Sequence, residues 1–159
     1  GKARSDYMKI KANGKEVRID IKQEGTTSKS TSAAIKDITI AHNITLNGVK
    51  GMQILIDFTV RNMLNLRGTC NAYFYTSDGS FALLDANGSY NTVSGKVCCS
   101  GVFTPIYQDT DFTDYKLFIP YSELHMGSGT HALKFFVSIF DNKGNEIAQS
   151  DWIDFRFTY

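Results

Sequence analysis

The segment Met52-Gln-Ile-Leu-Ile-Asp-Phe-Thr-Val-Arg61 constrains the fold more than any other part of the chain. Met52, Ile54, Ile56, Phe58 and Val60 alternate with Gln53, Asp57, Thr59 and Arg61, and Leu55 is the one exception. Successive side chains of an extended strand point to opposite faces, so a period of two gives one apolar row and one polar row. The segment therefore reads as a strand with one face in a core. Leu133, Phe135, Val137 and Ile139 repeat the pattern near the C-terminus. Cys70, Ala72 and Phe74 alternate with Thr69, Asn71, Tyr73 and Tyr75, and Ile153, Phe155 and Phe157 share one face of a last strand. No window carries the 3.6-residue spacing of an amphipathic helix.

The remaining segments fit the same scheme. Ile35, Ile38 and Ile40 open a strand ending near Asn43, residues 81–84 form a short one, and residues 97–103 another. Residues 115–119 form a strand stopped by Pro120, which has no N–H to donate to a ladder. Residues 105–114 read as irregular and acidic, and Ser122-Glu-Leu-His125 as one helical turn. Asn13-Gly14 between two alternating runs signals a tight hairpin, because a type I′ turn needs positive φ at both positions. Residues 23–32 contain no apolar side chain and read as a linker. The expected organisation is an N-terminal hairpin or arm over 1–22, a polar linker over 23–33 and a sandwich domain over 34–159. About eight strands with regular turn signals suit an immunoglobulin-like two-sheet β-sandwich. Its expected core is Ile54, Ile56, Phe58, Phe74, Phe135, Val137, Ile139, Phe155 and Phe157. Trp152 is expected in the last strand, so the Cys…Trp…Cys pattern of antibody domains is missing.

Composition excludes several function classes. A chain of 159 residues can bury a core without metal or disulfide staples. A net charge of +1 argues against a nucleic-acid or anionic-membrane surface, which would need a clustered basic excess. No apolar run approaches the length of a membrane span. The N-terminus carries no signal-peptide pattern; removal of a leader would make the protein extracytoplasmic, so its compartment stays open. Cys70, Cys98 and Cys99 make no framework, since adjacent strand residues face opposite ways and at most one of the pair can meet Cys70. Buried thiols are the first reading, and a Cys70–Cys98 or Cys70–Cys99 bridge the second.

Chemistry-bearing motifs are sparse. His42, His125 and His131 accompany no G-x-S-x-G element and no cysteine-protease signature, so they read as backbone-bonding loop histidines. A phosphate-binding loop is absent as well, and no organic cofactor is expected. Calcium is the most plausible ion, because it takes several oxygens and usually more than one carboxylate. Asp109, Asp111 and Asp114 are the candidate ligands, although Asp and Asn are also ordinary turn residues. The turn residues 85–89 and 141–146 carry further oxygen donors.

The outward side chains say more. If the alternating rows face the core, Tyr73, Tyr75, Phe136, Phe140 and Trp152 face away from it. In an immunoglobulin-like order their strands are neighbours in one sheet, which would join these aromatics into one surface. Such a patch marks a binding site unless a loop, residues 105–114 or the N-terminal hairpin covers it. The expected partner is a protein or a second copy, with a glycan as the alternative. A metal-dependent hydrolase built on loops is the third reading.

Residues 50–62, read with Tyr73-Phe-Tyr-Thr-Ser-Asp-Gly79, Phe103-Thr-Pro-Ile-Tyr107, Phe118-Ile-Pro-Tyr-Ser-Glu-Leu-His125 and Leu133-Lys-Phe135, carry a resemblance. Over residues 34–157 the chain resembles an uncharacterised bacterial β-sandwich domain, a C-terminal module beside peptidase or helical-repeat domains. The motifs are structural, and the resemblance implies an accessory, non-catalytic role.

Overall fold

The computed structural model describes residues 4–12, 15–23 and 29–159. The chain divides into two compact units, residues 1–30 and 31–159. In the first, β1 (Arg4–Ala12) pairs antiparallel with β2 (Lys15–Gln23), from Arg4↔Gln23 to Ala12↔Lys15. The expected Asn13-Gly14 turn lies outside the described residues. Met8 stands opposite Ile19, and both are exposed, as are Tyr7 and Ile21. Arg18 lies 4.4 Å over the Tyr7 ring and pairs with Asp20.

The second unit is all-β, with two antiparallel sheets packed as a sandwich and no barrel. The first sheet has the order β3 (Ser32–Leu46), β4 (Val49–Arg61), β7 (Asp109–Pro120). The second runs β6 (Cys98–Phe103), β5 (Gly68–Thr76), β8 (Thr130–Phe140), β10 (Ile153–Thr158), with β9 (Glu146–Gln149) also on β8. The short turn Tyr121–Leu124 is a 3-10 helix, where one helical turn is expected.

Both inner faces come from the alternating rows. Met52, Ile54, Ile56, Phe58 and Val60 are fully buried, and so are Cys70, Ala72, Phe74, Phe135, Val137 and Ile139. Phe155 and Phe157 complete the expected core. The sheets interlock through rings: Phe58 meets Phe103 of the second sheet edge-on at 5.2 Å, while stacking at 4.7 Å on Phe112, its partner in its own sheet. Burying one such side chain is worth about 1.5–3 kcal/mol.

Three boundaries differ from expectation. Residues 109–114 are not irregular: β7 begins at Asp109, and Phe112 turns inward against Phe58 while the aspartates face out. This is an edge strand, where outward charge discourages pairing with another chain. Residues 81–84 form isolated bridges, Tyr75↔Ala82 and Leu84↔Lys96, rather than a strand. β2 runs to Gln23 and β3 starts at Ser32, so ladder pairing takes residues from both ends of the polar stretch. Such pairing uses backbone groups and needs no apolar side chain.

Candidate functional site

Register builds the aromatic face of the second sheet. Tyr73 pairs with Phe136, Asn71 with Ser138, Thr69 with Phe140 and Tyr75 with Lys134. On the edge, β9 and β10 both pair with β8, and residues 150–152 leave the ladder between them. Ser150 bridges the gap: its N–H donates to the Val137 carbonyl at 2.8 Å, and its Oγ accepts the Val137 N–H at 2.9 Å. The kink lays Trp152 over the sheet. Its ring meets Phe136 at 5.0 Å and Tyr75 at 5.1 Å, both edge to face, and Phe136 meets Tyr73 at 5.3 Å.

The structure thus brings together Tyr73, Tyr75, Phe136 and Trp152. Among the described residues Phe140 makes no ring contact with them; it stands on the same face two positions beyond Ser138. The four sheet residues are half-buried and Trp152 is 48% exposed. Lys134 reaches within 5.7 Å of the Trp152 ring and 3.8 Å of Asp154. Beneath the rings Asn71 donates to the Tyr73 hydroxyl at 3.0 Å. Burial raises the Tyr73 pKa against that hydrogen bond. Among the described residues the cross-strand atoms Asn71 Oδ1 and Ser138 Oγ are buried and find no partner, so the floor between the rings is polar and unsatisfied there. Cys98, opposite Tyr73, is buried on this same side.

The cysteines are all free thiols. Cys70 and Cys99 face the core, and Cys99 donates to the Phe118 carbonyl at 3.0 Å. Burial pushes the Cys99 thiol up to about 12 and raises Cys70 and Cys98 as well, so none is an activated nucleophile.

The aspartates of the acidic segment lie along β7, each with its own partner. Asp111 takes hydrogen bonds from Lys36, at 2.7 Å, and Thr59, which together lower its pKa. The Asp114 N–H donates to Asp57, and Asp109 pairs in the ladder with Arg61. Among the described residues, the group whose ligand atoms converge is Asp85, Glu123 and His125, all within 4.8 Å of one another. In the sequence the 85–89 turn and the 122–125 turn stand apart, and nothing local says that they meet.

That group is a clasp. Asp85 has a fully buried side chain; its Oδ1 lies 2.8 Å from His125 Nε2, and its Oδ2 accepts the Gly88 N–H. The Ala86 N–H also approaches Nε2, at 3.1 Å, and Asn87 donates to Glu123 at 3.0 Å. The His125 contact, more than any other, holds the Asp85 carboxyl below its usual range. Carboxylates and an imidazole at this spacing could hold a zinc-like cation, yet each is engaged in a hydrogen bond. A hydrolytic triad would need a hydroxyl or thiol on the second ring nitrogen of His125, and no contact among the described residues supplies one. The other histidines also bond locally: His42 to the Tyr121 hydroxyl and His131 to the Gly127 carbonyl. Among the described residues no helix is long and apolar enough to cross a membrane. Compared with family models, curated proteins and solved structures, the chain matches none.

Proposed function

We propose that residues 31–159 form an immunoglobulin-like, non-catalytic accessory module whose aromatic sheet face docks a protein surface, a second copy of the chain included. The strand order supports the immunoglobulin-like reading. With β3, β4 and β7 as strands A, B and E, and β5, β8 and β10 as C, F and G, β6 sits beside C. The observation that carries the functional reading is the joined cluster of Tyr73, Tyr75, Phe136 and Trp152 on an outer face, with its Trp half exposed. Aromatic residues dominate the buried centres of protein interfaces. Three clefts among the described residues are lined by other residues, and a ring cluster on a sheet face suits a protein interface.

Light scattering across a concentration series tests this. A dimer that dissociates in Phe136→Ser, with the fold intact by circular dichroism, supports self-association. A monomer at all concentrations that binds a glycan array through Trp152 selects the carbohydrate reading instead. A hydrolase activity lost in His125→Ala overturns the non-catalytic assignment.

A further inference from the structure

A cleft lies at the seam between the two sheets, where residues of β3 approach residues of β10. The ladder of β3 breaks between Ala41 and Ile44, and Asn43 in the break has φ +59°. Such bulges re-aim side chains next to functional sites. Here the bulge turns His42 toward β10, where its ring stacks on Phe155 at 6.4 Å. The cleft of about 260 Å³ opens beside it, lined by His42, Lys50, Tyr121, Arg156 and the threonines Thr130 and Thr158, among others. Its floor is the stacked pair Tyr121 and Phe157, with ring centroids 4.8 Å apart.

The charges in this cleft do not balance. Lys50 and Arg156 both line it, and no carboxylate does. Among the described residues neither cation has a salt-bridge partner, whereas Lys36, Lys134 and Arg18 each have one. Asp154, two positions from Arg156, engages Lys134.

Hydrogen-bond logic adds a third donor. The Asn43 N–H donates to the Tyr121 hydroxyl oxygen at 3.1 Å, and the same oxygen lies 3.1 Å from His42 Nδ1. Tyr121 is 1% exposed, and a buried hydroxyl proton needs an acceptor. The arrangement that leaves no proton unpaired has Tyr121 donating to Nδ1. The neutral imidazole then carries its proton on Nε2. That N–H has no protein acceptor among the described residues.

We propose that this cleft binds an oxyanion, the carboxylate, sulfate or phosphate group of a small molecule, held by Lys50, Arg156 and the His42 Nε2–H. The guanidinium offers two parallel N–H groups to such an anion, and the ammonium supplies a point charge. The site is independent of the aromatic face and stands whether or not that face docks a protein.

The test is an NMR titration of the ¹⁵N-labelled full chain with sodium phosphate, sodium sulfate and sodium glucuronate, each against sodium chloride at matched ionic strength. The expected result is saturable shifts at the His42 ring and the Asn43 and Thr158 amides, with Kd of about 1–10 mM. Both cations are exposed, so Lys50→Gln/Arg156→Gln folds and weakens Kd at least about tenfold. Response to phosphate and sulfate alone assigns a tetrahedral oxyanion, and response to glucuronate alone assigns a carboxylate. Two results overturn the proposal: shifts that no anion saturates or that survive in the double variant, and a His42 ring whose proton sits on Nδ1 in ring-nitrogen spectra of the free protein.

Discussion

Asp85 shows how a single buried carboxylate ties stability to pH. Its side chain is out of water, and the His125 ring, with the Gly88 and Asn87 backbone, lowers its pKa in the folded state. A folded value below the unfolded one means that the contribution to stability is complete above the unfolded value of about 3.9 and is lost as pH falls through the folded value. Asp111 and Asp141 are shifted the same way, by Lys36 and by Asn145 in the first place. Asp85→Asn is expected to lower Tm at pH 7, and by less at about pH 2, which lies below the unfolded-state value where the carboxylate's contribution is falling. Thermal melts of both proteins at the two pH values check this; an equal gap at both would show that Asp85 acts through shape rather than charge.

At the scale of elements, β8 sits between β5 and the β9–β10 edge and contributes to both faces. Inward, Phe135 touches Phe74 at 5.6 Å and Phe155 at 5.7 Å; outward, Phe136 anchors the aromatic cluster. The two neighbours in sequence thus serve different ends. Phe135→Ala leaves a cavity in a fully buried position and should cost about 3–5 kcal/mol. Phe136→Ser, on the half-buried side, should cost less and act mainly on association. Denaturant unfolding of the two variants separates these roles, and an equal loss in both would mean that the outer face is a second core. Close approach matters too. Gly51 pairs with Pro120, and a Cβ there would run into the Ile119 carbonyl, so this part of the β4–β7 pairing requires glycine.

The whole molecule comprises two units, and the second is complete in its pairing from the first residue of β3. Ser32 pairs with Arg61, and Thr31 donates to Asp141, which caps the turn after β8 through the Lys143 and Asn145 N–H groups. An isolated two-stranded hairpin is marginal in water, and Met8, Ile19 and Ile21 of the first unit are exposed. Removing residues 1–30 should leave residues 31–159 cooperatively folded, with Tm lower by no more than about 4 °C, a shift of roughly 1–2 kcal/mol for a domain of this size. Calorimetry on the truncated chain decides the matter. A loss of the cooperative transition would make the hairpin an integral part of the sandwich.

Much of this fold is legible along the chain because strand alternation is a local property. The rows Met52 to Val60 and Leu133 to Ile139 need no knowledge of their partners to declare an inner and an outer face. The same logic placed Tyr73, Tyr75 and Phe136 outward, and adjacency of β5 and β8 then joined them. Local reading failed where polar composition and pairing compete. Residues 109–114 look like an acidic loop, yet Phe112 fits against Phe58 and draws the segment into an edge strand. What only the tertiary structure decided is convergence. Asp85 meets His125, Lys50 shares a cleft with Arg156, and His42 meets Tyr121, each across two different segments of the chain. Periodicity assigns a side chain to a face, but register, bulges and the crossing of two sheets determine which distant faces touch. Those depend on the backbone of the whole sandwich rather than on any one stretch of sequence.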